Sequence, residues 1–76
     1  MKKVLIDPDS YKPINPGRLS EMMTDWCKLQ NLEYGHDYAW SYRPISLNNL
    51  PHIVMEFRFY NDDSNVATMF ALKWRR

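Results

Sequence analysis

The chain is poor in the residues that most reaction chemistry requires. Two glycines among 76 residues leave no glycine-rich loop to wrap a phosphate. The single cysteine, Cys27, excludes an intrachain disulfide and points to a reducing compartment. One cysteine and two histidines, His36 and His52, make a poor zinc set. Neither histidine has a catalytic partner at a telling spacing: His36 adjoins Asp37, but neighbours on a strand face opposite ways. Ten basic residues against nine acidic ones give a net charge of +1, without the excess that coats nucleic acid or mimics it. No apolar run approaches the ~20 residues of a membrane span. The two lysines after Met1 lead into a short apolar stretch, unlike a signal peptide. Asp7, Asp9, Asp62 and Asp63 read as turn and capping residues rather than as cation ligands. These absences predict a cytoplasmic, non-catalytic protein without cofactor, metal or membrane association.

What the chain does have is apolar and aromatic content: 45% hydrophobic residues, with three Trp, five Tyr and three Phe. That supports one folded domain over residues 1–76, since each aromatic ring buries roughly 150–250 Å². Lys2 to Asp7 reads as a short strand stopped by Pro8. A loop with Pro8, Pro13 and Pro16 steers into a helix with Asn15 as N-cap and Pro16 at its first position. Leu19, Met22, Met23, Trp26 and Leu29 form its apolar stripe, with Cys27 on the flank. The helix is expected to end around Gln30 to Leu32, with Asn31 as cap.

Tyr38, Trp40 and Tyr42 alternate with Ala39, Ser41 and Arg43, which predicts a second strand. Pro44 to Pro51 reads as an eight-residue connection with a mobile tip around Asn48-Asn49. His52 to Tyr60 alternates again, with Ile53, Met55, Phe57 and Phe59 on one side. The segment after the acidic turn has two readings. Val66, Phe70 and Trp74 at spacings of four, capping by Asp and Ser, two alanines, and Lys73, Arg75 and Arg76 at the end favour a helix. The alternation of Val66, Thr68, Phe70, Leu72 and Trp74 makes a β-hairpin the rival.

The resulting order, β-α-β-β-α, predicts an α+β two-layer sandwich, a ferredoxin-like plan lacking the fourth strand. The strand aromatics and aliphatics, from Val4 and Ile6 to Phe59, would face the helices. The first strand would be left with an uncovered edge, which invites pairing with another chain. The other sheet face would carry Leu5, Ala39, Ser41, Arg43, His52, Val54, Glu56, Arg58 and Tyr60. Leu5, Arg43, Val54, Arg58 and Tyr60 are the candidate partner-binding residues on that face.

Residues 36–74 resemble the C-terminal part of small uncharacterised proteins of tailed bacteriophages. The shared features are Asp37-Tyr38-Ala39-Trp40, Met55-Glu56-Phe57-Arg58-Phe59, an acidic turn, and a closing helix with Ala67, Phe70, Leu72, Lys73 and Trp74. The resemblance implies a phage accessory protein that binds a host or viral macromolecule, and brings no site residues with it. The functional expectation is docking on a protein partner, or self-association, through the open sheet face or the first strand's edge. The alternative is a single-stranded RNA or DNA binder using Arg43, Arg58 and Tyr60 on that face. It lacks the glycine of the usual RNA-recognition strand, and Phe57 and Phe59 face the wrong way for base stacking.

Overall fold

Alternation and capping together account for the elements. The computed structural model describes residues 1–61 and 65–75. Lys2–Ile6 is strand β1, with Val4 and Ile6 buried and Lys3 and Leu5 exposed. Pro8–Tyr11 is a 3-10 turn, opened by the Asp7 carboxylate, which accepts the Asp9 N–H at 2.9 Å. Pro16–Leu29 is helix α1. Its N-cap is Asn15, whose side chain accepts the Arg18 N–H at 2.8 Å. Its other end closes in a Schellman motif: Asn31 N–H donates to the Lys28 carbonyl and Leu32 N–H to the Cys27 carbonyl, both at 3.0 Å. Asn31 takes the left-handed conformation (φ 62°) that this motif requires.

Tyr38–Leu47 is strand β2, Leu50–Phe59 is strand β3 and Val66–Trp74 is helix α2. The last segment is thus a helix and not a hairpin. The expected caps Asp62, Asp63 and Ser64 lie outside the described residues, as does Arg76. Asn65, directly before the helix, is left-handed (φ 57°) and makes no side-chain cap bond.

The three strands form one antiparallel sheet in the order β1-β3-β2. The expected eight-residue connection between β2 and β3 is instead a two-residue turn, Asn48-Asn49, with φ of 53° and 63°. Positive φ at both positions is the type I′ signature, and asparagine tolerates it. Pro44 and Pro51 made this stretch look unlike strand, yet both lie within strands. A two-residue turn makes Leu47 and Leu50 a hydrogen-bonded pair, so every second residue from there directs its backbone groups into the β2–β3 ladder. Pro44 pairs with Ile53, and Pro51 with Ser46, in the intervening positions. Their missing N–H groups therefore cost the hairpin nothing.

One core lies between the sheet and both helices. It joins Val4, Ile6, Tyr38, Met55, Phe57 and Phe59 of the sheet to Leu19, Met23 and Cys27 of α1 and Val66, Phe70 and Trp74 of α2. Phe70 is at its centre, with ring centroids 4.6 Å from Phe57 and 5.2 Å from Phe59. Tyr11, which the loop reading passed over, belongs to it: it is buried and its hydroxyl donates to the Trp74 carbonyl. Cys27, expected on the flank of α1, is fully buried. The helix face is centred on Leu19, Met23 and Cys27, leaving Met22 and Trp26 half-buried and turning Leu29, the last helical residue, out to solvent. Tyr42 and Ile53, expected in the core, are each 48% exposed. They point to the helix side but lie where β1 has already ended, since its last pair is Ile6 with Met55.

Candidate functional site

The face of the sheet away from the helices carries a polar network. Glu56 is buried at its centre, 7% exposed, with Lys3 Nζ 3.8 Å from one carboxylate oxygen and Arg43 Nη1 3.5 Å from the other. Arg58 donates to the Ser41 hydroxyl at 3.0 Å. Of the five expected partner-binding residues, Leu5 (38%) and Tyr60 (45%) are exposed. Arg43 and Arg58 are exposed and half-buried, and both are engaged within the sheet. Val54 is buried, 4% exposed, so it is no surface residue. It lies opposite Arg43 and between His52 and Glu56 on its own strand, where these longer side chains surround a short branched one. Alternation identified its face correctly; same-face neighbours bury it there.

The fold also gathers a cluster that the sequence kept apart. His52, which had no partner in sequence, lies with its Nε2 3.0 Å from Asp7 Oδ1 and its Nδ1 3.9 Å from Asp9 Oδ2. Burial works to raise the Asp7 carboxyl. The His52 hydrogen bond, the Asp9 N–H and the charges of His52 and Lys12 outweigh it, and the net shift is downward. One nitrogen and two carboxylates suit a divalent cation in kind. Each is already matched within the protein: His52 by Asp7, Asp7 by the Asp9 N–H, and Asp9 by Lys12 at 3.5 Å. Asp9 and His52 also line a cleft of about 420 Å³ with Pro8, Pro16, Tyr42 and Ile53, beside the half of β3 that β1 does not reach.

His36 and Asp37 do meet, at 3.1 Å, because they sit in a turn and not on a strand. The Asp37 carboxylate accepts the Glu33 N–H at 2.7 Å, and that bond, then His36, lower its pKa. Both serve to close the turn before β2. Cys27 offers no reactive thiol. Burial pushes it up to about 12, against a smaller opposing effect of the Tyr38 hydroxyl bonded to it.

The two outer edges of the sheet differ. At the base of β2, the Gly35 N–H donates to the Tyr38 carbonyl and the Tyr34 hydroxyl to the Trp40 carbonyl. Further along, Pro44 interrupts that edge. On β1, Lys2, Val4 and Ile6 occupy the pairing positions toward β3, so the backbone groups of Lys3 and Leu5 point outward. A groove of about 280 Å³ runs beside them, between β1 and α2. None of the described helices is long and apolar enough to cross a membrane.

No protein-family model matches the chain, and no curated protein or solved structure matches it either.

Proposed function

We propose that the chain is a small non-catalytic binding protein that docks on a protein partner at the β1 edge. The supporting observation is the contrast between that edge, whose outer backbone groups lie beside a groove, and the β2 edge, which a turn and Pro44 occupy. The open face supports docking less, because its arginines and Glu56 are matched to one another and to Ser41. The same matching weakens the nucleic-acid alternative, which needs Arg43 and Arg58 for phosphates. We read the architecture as the ferredoxin-like plan without its fourth strand, which would leave this edge unpaired. A phage origin belongs to the same reading and rests on the resemblance over residues 36–74.

The test compares tagged baits in an affinity capture. Leu5→Pro removes an outward N–H while leaving the β1–β3 ladder whole, so it should lose a partner that the wild type retains. Arg43→Ala with Arg58→Ala should keep it. The reverse pattern moves the site to the open face. A wild-type bait that captures nothing specific overturns docking.

A further inference from the structure

The groove beside β1 has a definite chemistry. Its floor is made of short side chains: Ala67, Thr68 and Ala71 on the flank of α2, next to Val4 of β1. Its rim carries Lys2, Lys3 and Arg75. All three are exposed. Lys3 is shared with Glu56 at 3.8 Å, while Lys2 and Arg75 have no carboxylate within ion-pair distance among the described residues. The groove therefore combines strand hydrogen-bonding groups that are unpaired among the described residues, a shallow apolar floor and a rim of one charge.

Resting on the docking reading above, we infer that the β1 edge takes up an extended, acidic segment of a partner protein as an added strand. The backbone groups of Lys3 and Leu5 supply the hydrogen bonds. Alternate residues of the added strand face the groove, and the apolar ones among them pack on Ala67, Ala71 and Val4. Acidic residues at the other groove-facing positions reach Lys2 and Arg75, since Lys2 shares the helix side of β1 with Val4. Charge complementarity selects this occupant over a second copy of the chain, whose own β1, Lys2–Ile6, holds no acidic residue to set against the rim. It also steers the encounter, so association is sensitive to salt.

The experiment titrates three short labelled peptides against the whole chain by fluorescence anisotropy: each has threonine at every second position, and at the intervening, groove-facing positions valine alternates with glutamate, with serine or with lysine. The glutamate peptide is expected to bind, to weaken as ionic strength rises, and to protect the Lys3 and Leu5 amides from hydrogen exchange. Lys2→Glu with Arg75→Glu should weaken it by about tenfold or more and favour the lysine peptide. Leu5→Pro, with an unchanged thermal midpoint, should abolish all strand binding. Equal binding of all three peptides, lost in Leu5→Pro, keeps edge docking and overturns the acidic preference. No binding by any of them overturns both, leaving Lys2 and Lys3 as guards against strand pairing.

Discussion

The two halves of the β2–β3 hairpin carry the same alternation of apolar side chains and meet opposite fates. At its base, Tyr38, Met55, Phe57 and Phe59 are buried. In its outer arm, Tyr42 and Ile53 continue the same row on the same side and stand half exposed, with Leu47 and Leu50 exposed near the turn. The residue types hardly differ. What differs is what lies over them. The base is flanked by β1 and covered by both helices; the arm extends past the last β1 pair, Ile6 with Met55. Periodicity fixes which way a side chain points, and a separate element must arrive to bury it.

The sharpest way to break this contrast is to truncate the base. Phe57→Ala removes a ring that touches Phe70 and stacks near Tyr38 and Trp40. It should cost about 3–5 kcal/mol, enough to unfold a domain of this size or bring it close, as read by urea unfolding. A loss of no more than about 0.5 kcal/mol would show that the base is no better packed than the arm.

A second probe uses protons. The Cys27 thiol is held at about 12 in the folded chain against an ordinary 9.0, and burial likewise raises Tyr38 from 10.0 to about 12. The unfolded chain therefore releases these protons first. Their contribution to stability is complete below pH 9.0 and is lost as pH rises toward 12. The fall should not exceed roughly 1.4 kcal/mol per pH unit per group. Urea unfolding on the alkaline side checks this. Cys27→Ala should flatten the part that begins at the lower pH, and an unchanged slope would mean that α1 does not shield this thiol.

The smallest effect belongs to the arm. Ile53→Ser should shift stability by no more than about 0.5 kcal/mol in the same measurement. A loss comparable with that of Phe57→Ala would mean that something covers the arm after all.

Much of the architecture was legible in local chemistry. Asn15-Pro16 announced the start of α1, Asn31 its end, and alternation gave the facing of all three strands. The misreadings share a cause: each depended on contacts between distant parts of the chain. Tyr11 is core because Trp74, far along the sequence, accepts its hydroxyl. His52 looked solitary because Asp7 and Asp9 reach it only after β1 pairs with β3. Val54 looked exposed because no local signal shows that its neighbours on one sheet face will bury it. Pro44 and Pro51 argued against strand because a missing N–H is harmful only if it points into the ladder. Which way it points depends on the length of the turn at Asn48-Asn49. The groove beside β1 had no signature at all, since its floor and its cationic rim come from opposite ends of the sequence.

Pro44 has a further consequence. A sheet that could accept strands on both sides would have a valence of two, and molecules of valence two grow into filaments. Here one side is closed at its base by a turn and broken by Pro44. The sheet is left with a valence of one. Any strand pairing it undergoes through its edges ends with a single added strand, giving a finite complex rather than a polymer.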